Sequence, residues 1–413
     1  MNKKSSLKQL IFVSSRQSSF EATEIQWAKQ YWHEILLITA ARKNPQDNKE
    51  EFLHIQTSFT YRQKVVHVLR FFRQLFWLFI KDLLSMNSSI AYIKQWRKNF
   101  SMLLKVSMQT ESLKTVFFEN QNSTPYSIFS NDQSLILALA KHRGYINRAA
   151  SRAHGRDVIE YREPVTQKLP FQWFKYQELD AVYSVSRYTQ SYIQNKYPSY
   201  ANKIRLMHLG TKDKGMGPTI PNESECFIIA SIGAVRNVKR FFLIAEMLRF
   251  TGLKVKWIHF GNIQYSDATT NRFLKALNDL KSTPNISVDL KGYVSNELIL
   301  EYFSENFIDA LVSVSESEGG APVSIQEAAS FGIPCFATNV GGTNDIVNDI
   351  TGKLIDKDFD LKEGMIELEN LLLGFARSIE NRKAIRGFWE RNFKASINYP
   401  KFFDYLRETE SYA

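Results

Sequence analysis

Short apolar runs alternate with amphipathic stretches in the first part of the chain. Leu10–Ser14 and Ile35–Thr39 are typical of buried strands, and the periodic segment Glu24–Trp32 between them predicts a helix. A strand–helix–strand order is characteristic of parallel sheets that are covered by helices. The N-terminal half is therefore predicted to contain an α/β layer.

The remainder of that half carries weaker patterns. Residues 61–105 are predicted to be helical, and the segment Tyr188–Tyr197 predicts another helix. Short strands are predicted at Val116–Phe118, Ile128–Phe129, Arg148–His154, Ala181–Ser186 and Ile204–Leu209. These elements extend the predicted layer toward the middle of the chain.

From residue 227 onward the alternation of strands and helices is regular. Strands are predicted at Phe227–Ile232, Val255–Phe260, Ile286–Leu290, Ala310–Val314 and Cys335–Thr338. Helices are predicted at Arg240–Arg249, Thr270–Leu280, Glu297–Phe303 and Val323–Phe331, followed by a helical tail over about residues 362–411. This order predicts an α/β, doubly wound parallel sheet, in which ligands bind at the carboxyl ends of the strands.

Length, glycine content and charge divide the chain near the same place. A chain of 413 residues favours two domains, and its densest glycine and proline stretch, Gly210–Asn222, is the predicted linker. Residues 1–212 hold 31 Lys and Arg against 15 Asp and Glu, whereas residues 213–413 hold 22 against 27. The basic half is expected to meet an anionic partner: a membrane surface, a phosphorylated acceptor or nucleic acid.

The sequence shows no pattern of a secretory signal or a membrane span. The apolar run Leu10–Val13 is too short for a signal peptide, and the most apolar stretch, Leu75–Ile80, falls far short of the roughly 20 residues that cross a bilayer. Cys226 and Cys335 lie in apolar runs without metal-ligand spacing. These features predict a cytoplasmic protein with reduced cysteines.

The segment 315–345 is the strongest candidate for chemistry. Gly319 and Gly320 lack Cβ atoms, so that backbone N–H groups can approach a ligand, and Pro322 suits the first turn of a helix. The N-terminus of that helix, near Val323, favours a diphosphate because it carries partial positive charge.

Two glutamates flank the start of this predicted helix. Glu318 precedes it and would reach a sugar hydroxyl, whereas Glu327 lies inside it and would accept hydrogen bonds from a ribose. The alternative is an ordinary strand–loop–helix turn with two solvated glutamates. Residue chemistry alone leaves both interpretations open.

The same segment resembles the signature of glycosyltransferase family 4, whose members are retaining enzymes with a GT-B fold. The matching positions are Ser315 or Ser317, Glu318, Gly319, Pro322, Glu327-Ala328, Gly332, Pro334, Ala337-Thr338, Gly341-Gly342 and Asp345. The resemblance covers about residues 145–400 and is closest to the bacterial surface-polysaccharide branch. Two departures occur: eight residues separate Glu318 from Glu327, where the family usually has seven, and Asp345 replaces the usual Glu.

This resemblance implies two Rossmann-like domains that face each other across a cleft. Residues 1–212 would form the acceptor-binding domain and residues 213–394 the nucleotide-sugar-binding domain. The C-terminal helix, within residues 395–413, would return to pack on the N-terminal domain.

Two further motifs fit the resemblance. Lys239 follows a predicted strand that ends at a glycine, and it matches a family cation on the donor diphosphate; with Arg240 it forms a basic pair suited to clamp a diphosphate. Its usual Arg partner falls at Ala234, so Arg236 is the candidate substitute. His154 matches a family histidine that lies near the donor sugar.

Two weaker candidates complete the expected donor site. Tyr293 lies in a loop that meets the nucleobase in relatives, where it would either stack on the base or pack in the core. Thr338 belongs to the Ala-Thr pair of the family pattern.

The implied activity is retaining transfer of a sugar from a nucleotide-diphosphate sugar, with a UDP-sugar favoured. The acceptor would be a hydroxyl of a saccharide, lipid-linked or protein-linked molecule in bacterial surface glycan synthesis. The diphosphate would lie on Lys239 and the helix near Val323, the ribose on Glu327, and the sugar near Glu318 and His154. Positive groups would stabilise the leaving nucleotide diphosphate, so neither a cofactor nor a metal is expected.

Three alternatives to this activity are considered from the sequence. The first is a non-catalytic GT-B homologue that stabilises a partner glycosyltransferase, and the second is an inverting GT-B transferase. The third is a nucleic-acid-binding protein, suggested by a pI near 9.3 but lacking zinc-finger spacing or an RRM-type aromatic motif. Nucleic acid is therefore not expected as a partner.

Residues 61–105 have an unusual composition. They hold nine Lys and Arg and a single acid, Asp82, interleaved with aromatic side chains. One interpretation is a helical cap whose aromatic residues enter the core. The other is a helix that lies on the inner face of the plasma membrane, where cations meet anionic lipid and aromatic side chains insert.

Overall fold

Each half of the chain builds its own parallel sheet. The computed structural model describes residues 9–14, 19–39, 52–85, 89–163, 165–221, 225–263 and 268–408. The chain divides into two units, Met1–Met207 with Tyr399–Ala413, and His208–Asn398. Residues 1–8 lie outside the described residues.

The first unit contains a seven-stranded parallel sheet in the order β3-β2-β1-β4-β5-β6-β7. Its strands are β1 Leu10–Ser14, β2 Ile35–Thr39, β3 Phe52–His54, β4 Thr124–Ser127, β5 Ala150–Ala153, β6 Ala181–Ser184 and β7 Ile204–Leu206. Its helices are α1 Ser19–Tyr31, α2 Tyr61–Leu84, α3 Ile90–Lys94, α4 Trp96–Ser112, α5 Lys114–Glu119, α6 Asp132–His142, α7 Gln172–Glu178 and α8 Arg187–Lys196. The strand order reverses between β1 and β4, which makes that point the switch of the sheet.

The two apolar strands predicted at the start of the chain are confirmed, but two later predictions are wrong. The segment Val116–Phe118 lies in helix α5, because a three-residue apolar run does not distinguish a strand from one face of a helix. Ile128–Phe129 follow strand β4 instead of forming it. The real strand is polar in composition and is buried through hydrogen bonds, including Tyr126 Oη to Glu24 Oε1 at 2.5 Å.

Helix α2 packs on α4 through one face and leaves the opposite face uncovered. Thr60 and Gln63 form a reciprocal capping box at its start, and non-helical angles at Phe71 bend it in the middle. Leu75 and Leu78 are buried on the inner side. On the outer side, four apolar side chains at helical spacing are exposed: Val65, Leu69, Phe72 and Phe76. This outer face of α2, which also carries Arg62 and Arg73, is only partly consistent with a simple core-filling cap.

The second unit contains a six-stranded parallel sheet in the order β10-β9-β8-β11-β12-β13. Its strands are β8 Cys226–Ile232, β9 Lys254–Phe260, β10 Ile286–Gly292, β11 Ala310–Ser313, β12 Cys335–Thr338 and β13 Gly352–Ile355. Its helices are α9 Phe241–Leu248, α10 Ala268–Leu280, α11 Asn296–Glu305, α12 Val323–Ser330, α13 Leu361–Gly374 and α14 Ile379–Phe393. All five strands predicted here are present, and only β13 was missed. The strand order reverses between β8 and β11, the expected position of a ligand site.

The predicted linker Gly210–Asn222 is hydrogen-bonded to the second unit in the part that the structure describes. The Thr211 N–H donates to the Phe393 carbonyl at 2.9 Å, and the Gly217 N–H donates to the Phe331 carbonyl at 3.1 Å. The segment is therefore bonded to the second unit, which begins at His208, a few residues before the predicted boundary. Asn222 lies outside the described residues.

The last described element is helix α15, Ala395–Glu408, whose residues from Tyr399 onward belong to the first unit. Tyr399 stacks on Trp27 with ring centres 5.8 Å apart. The Arg152 guanidinium lies 3.9 Å from the centre of the Phe402 ring. Burial of side chains of this size stabilises the helix by roughly 1.5–3 kcal/mol each.

Candidate functional site

The two predicted donor motifs meet at the switch point of the second sheet. The chain leaves β8 through a short 3₁₀ turn, Asn237–Lys239, and leaves β11 through the loop that precedes α12. The Glu316 N–H donates to the Val238 carbonyl at 2.8 Å, which ties the two loops together. Neighbouring parallel strands place these loops side by side at the carboxyl edge of the sheet.

Lys239 and Glu318 form an ion pair. The Lys239 Nζ atom lies 2.5 Å from Glu318 Oε1, and the two side chains are 29% and 15% exposed. The structure therefore brings together the two side chains that were predicted to contact the diphosphate and the sugar. The partial exposure leaves both groups accessible to a ligand.

The second member of the basic pair, Arg240, has a structural role. It lies at the left-handed position before α9, and its Nε atom donates to the Val314 carbonyl at 2.8 Å. Its guanidinium also donates to the Ser315 carbonyl at 3.3 Å. These two bonds anchor the Arg240 side chain to the end of strand β11, and the suggested diphosphate clamp with Lys239 stays a prediction.

Thr338, at the end of β12, supports the same loop. Its hydroxyl donates to the Ser315 carbonyl at 2.6 Å, and the residue is buried. In this structure the predicted donor-binding threonine is engaged in holding the loop that carries Glu318.

Glycine is required at two positions where the backbone of another segment lies too close to leave room for a Cβ atom. Gly341 has φ +55°, and a Cβ atom there would lie 1.6 Å from the Glu318 carbonyl oxygen. A Cβ atom on Gly261 would lie 1.8 Å from the Gly233 carbonyl oxygen. Both positions exclude any side chain, so backbone groups line this edge of the sheet.

Helix α12 begins as predicted, and the extra residue before it is accommodated in the loop. Pro322 is the residue before the helix and Val323 is its first residue. The Gln326 side chain donates to the Ala321 carbonyl at 2.9 Å, which holds the additional residue of Gly319–Ala321 against the first turn. This bond joins the loop that carries Glu318 to the first turn of the helix.

Glu327 is buried inside α12, so the interpretation of two solvated glutamates is wrong. The Asn296 side-chain amide donates to Glu327 Oε1 at 2.7 Å. Burial raises the pKa of the Glu327 carboxyl to about 7, and the bond from Asn296 opposes that shift. The carboxyl is thus poised to change charge near neutral pH.

The remaining predicted residues of the second unit lie at the surface. Tyr293, in the loop after β10, is 75% exposed, so the alternative of core packing is excluded. Arg236, just before the 3₁₀ turn, is also exposed. Neither position is constrained by its surroundings in the way that Arg240 is.

His154 belongs to the first unit and follows strand β5. Its Nε2 atom lies 2.9 Å from the Ile128 carbonyl, so that nitrogen carries the proton, and Nδ1 is left as an acceptor. Desolvation lowers the pKa of the imidazole. The structure orients the ring firmly.

Asp157 is a residue whose role sequence reasoning missed. One carboxylate oxygen accepts from the backbone N–H groups of His154 and Gly155, each at 2.9 Å. The other accepts from the Ser130 N–H at 2.7 Å. Asp157 therefore joins the ends of β4 and β5, and an Asp three residues after the histidine is its only sequence signal.

Solved structures of sugar-transferring and related proteins share this fold over nearly the whole chain. Sucrose-phosphate synthase from Thermosynechococcus elongatus aligns with a TM-score of 0.68 at 15% identity, covering 98% of this chain and 100% of that chain. The lipopolysaccharide outer core galactosyltransferase WaaB, in its apo form, aligns at 0.66 and 14%, covering 97% and 99%. Anabaena HepE in complex with UDP-glucose aligns at 0.63 and 11%, covering 97% and 99%. These similarities confirm the GT-B fold class.

The sequence itself matches one family model. Residues 220–377 match the model described as glycosyl transferases group 1, a range that includes Lys239, Glu318 and Glu327. This match confirms the predicted enzyme class, a glycosyltransferase. No curated protein sequence matches the chain.

Proposed function

We propose that the protein is a retaining glycosyltransferase of the family 4 type. It transfers a sugar from a nucleotide-diphosphate sugar, with a UDP-sugar favoured, to an acceptor hydroxyl in bacterial surface glycan synthesis. The observation that carries the proposal is the Lys239–Glu318 pair at the sheet switch point, beside the N-terminus of α12. A cation and a helix N-terminus together favour a diphosphate at that position.

Donor binding exchanges the partners of this ion pair. The diphosphate carries more negative charge than one carboxylate, so Lys239 turns to the diphosphate oxygens. Glu318 is then released to accept a hydrogen bond from a sugar hydroxyl. Glu327, ionised, accepts from the ribose hydroxyls.

The transfer step itself needs no protein nucleophile. The bond between the anomeric carbon and the leaving oxygen breaks, and the nucleotide diphosphate takes its electron pair. The acceptor oxygen forms the new bond on the same face, and its proton passes to a diphosphate oxygen. Lys239 and the α12 N-terminus stabilise the charge that develops on the leaving group.

Two structural neighbours support this choice of substrates. The HepE structures contain UDP and UDP-glucose, and WaaB is a lipopolysaccharide outer core galactosyltransferase. A saccharide, lipid-linked or protein-linked acceptor for this chain follows from the same proposal. The proposed function also includes donor binding that does not require a metal ion.

The test is a thermal-shift panel of UDP, GDP and ADP with their sugars, run with EDTA and again with Mg²⁺. A ligand that binds only the native state raises the melting temperature. We expect one nucleotide series, UDP, to stabilise the protein in EDTA, and its sugar to be hydrolysed slowly. The anomeric configuration of any transferred product then distinguishes retention from inversion.

An unchanged melting temperature across the whole panel would contradict the proposal. The non-catalytic homologue that stabilises a partner transferase would then replace it. Stabilisation that appears only with Mg²⁺ would contradict the metal-independent part alone.

A cytoplasmic protein bound to the inner membrane surface is the second part of the proposal. In the part of the chain that the structure describes, no helix has the length and apolar character to span a membrane. The outer face of α2 exposes Leu69 by 73%, Phe72 by 55% and Phe76 by 52%, next to Arg62 and Arg73. Exposed apolar side chains flanked by cations fit an anionic lipid surface.

Vesicle sedimentation checks this surface. The protein is expected to bind phosphatidylcholine vesicles that contain phosphatidylglycerol at low salt, and to be released at high salt. Leu69→Ser/Phe72→Ser/Phe76→Ser should weaken binding by about tenfold or more, since each side chain loses its burial in the interface. Ile350→Ser/Ile366→Ser/Leu373→Ser, at exposed positions of the second unit, is the matched control. Equal loss in both variants would contradict the assignment of the surface to α2.

A further inference from the structure

A groove of about 590 Å³ opens in the first unit between helix α2, helix α4 and the loop that precedes α2. Its walls are largely apolar and are formed by Phe59, Trp96, Phe100, Leu104 and Met108. We call it the α2–α4 groove. None of the residues assigned to the donor site lines it.

Three cations, Lys64, Arg97 and Lys105, line the same groove. Among the residues that the structure describes, none of these three has a carboxylate partner, and no acidic residue lines the groove. Asp82 is the only acid between residues 52 and 110, and it is buried against other groups, including Trp173 Nε1 at 3.1 Å. Within the described part of the chain, the groove therefore combines apolar walls with cations that no carboxylate pairs.

One wall of the groove, the loop before α2, leaves the carboxyl end of strand β3. His154 follows β5 at the same edge of the sheet, four strand positions away in the sheet order. At about 4.8 Å per strand, the carboxyl ends of β3 and β5 are roughly 19 Å apart. That distance accommodates a short saccharide between them.

We propose that the α2–α4 groove binds the phosphate-bearing lipid end of the acceptor. The apolar walls take the first part of the hydrocarbon chain, and Lys64, Arg97 and Lys105 neutralise the phosphate. The saccharide then extends along the carboxyl edge toward His154. This inference rests on the proposed function, and it specifies the acceptor as a lipid phosphate instead of a free saccharide or a protein.

The test is calorimetric titration of the full chain with farnesyl phosphate below its micellar concentration. Farnesol has the hydrocarbon chain without the phosphate, and inorganic phosphate has the phosphate without the chain. Both serve as partial ligands for comparison. We expect saturable binding of farnesyl phosphate, and affinity at least about tenfold weaker for both partial ligands. Lys64→Gln/Arg97→Gln/Lys105→Gln should weaken farnesyl phosphate binding by about tenfold or more.

Lys94→Gln/Lys98→Gln/Arg249→Gln is the matched control, since it removes the same charge from exposed positions that lie outside both the groove and the outer face of α2. Equal affinity in the groove variant and the wild type overturns the inference. An equal loss of affinity for farnesyl phosphate in both variants also overturns the inference, because binding would then depend only on the overall charge of the protein. A groove variant that keeps farnesyl phosphate binding but loses vesicle binding assigns these cations to the membrane surface and overturns it as well.

The same titrations separate this inference from the proposed function. The melting-temperature response to donor nucleotide reports binding at the switch point of the second sheet and does not involve the α2–α4 groove. Donor binding without farnesyl phosphate binding rejects only the lipid-phosphate acceptor. If no donor nucleotide raises the melting temperature of the wild type, the proposed function is rejected, whether or not farnesyl phosphate binds.

Discussion

Lys239→Met is expected to lower kcat/KM for the nucleotide sugar by roughly 100- to 1000-fold, the cost of removing one group that stabilises developing negative charge. The substitution keeps the aliphatic stem and removes only the ammonium. Thermal stability should change little, because a partly exposed ion pair such as Lys239–Glu318 contributes about 0–1 kcal/mol. The measurement is steady-state donor hydrolysis and transfer, together with the melting temperature of the same sample.

The control is Lys353→Met in the same unit. Lys353 pairs with Glu367 at 2.8 Å, with both side chains partly exposed and away from the switch point. This variant should keep wild-type kinetics. If Lys239→Met folds normally and also keeps wild-type kinetics, the diphosphate does not bind Lys239. The proposed stabilisation of the leaving nucleotide diphosphate by Lys239 would then be wrong.

Donor affinity is expected to rise with pH through the ionisation of Glu327. Only the charged carboxylate accepts both ribose hydroxyls, and the pKa of Glu327 is about 7 in the free protein. The apparent Kd scales with the inverse of the ionised fraction, so it should fall about tenfold between about pH 6 and about pH 8. The ligand is the nucleotide sugar, since its diphosphate has no ionisation in that range.

Glu327→Gln should bind the donor weakly and without this pH dependence. Glu297→Gln, at an exposed position on α11, should retain the wild-type profile. A wild-type Kd that does not change across the range would show that Glu327 does not receive the ribose.

The same carboxyl gives the stability of the free protein a defined pH dependence. Its folded pKa is raised from 4.5, so the folded chain keeps a proton that the unfolded chain has lost. Stability should therefore fall as the pH rises from about 4.5 to about 7, by at most about 3 kcal/mol, and then level off. Glu327→Gln removes this fall, which denaturant unfolding of both proteins at the two ends of the range would detect.

The fold could be predicted wherever burial came from apolar runs. Leu10–Ser14 and Cys335–Thr338 have the bounds that the sequence indicates. Strand β4, Thr124–Ser127, was missed because its burial depends on partners such as Glu24 and Ser151, which are distant in sequence. A hydropathy pattern does not identify a strand whose polar side chains are buried through hydrogen bonds.

The candidate site could be located from sequence, but its internal contacts could not. The glycines, Pro322 and the two glutamates placed the loop and helix start correctly. The pairing of Lys239 with Glu318, however, joins residues from two strands that only the sheet order makes neighbours. The anchoring of Arg240 could not be predicted for the same reason: its charge is visible in the sequence, whereas the carbonyls that bond to it are not.

The crowded glycines set a limit on how donor preference can be redesigned. Any side chain at Gly261 or Gly341 would displace the carbonyl of Gly233 or Glu318, so a mutagenesis library that varies these positions would mostly return unfolded or inactive clones. Tyr293 and Arg236 carry no such constraint, because both are exposed. Laboratory evolution toward another nucleotide should therefore randomise the exposed loop residues and leave the glycine positions untouched.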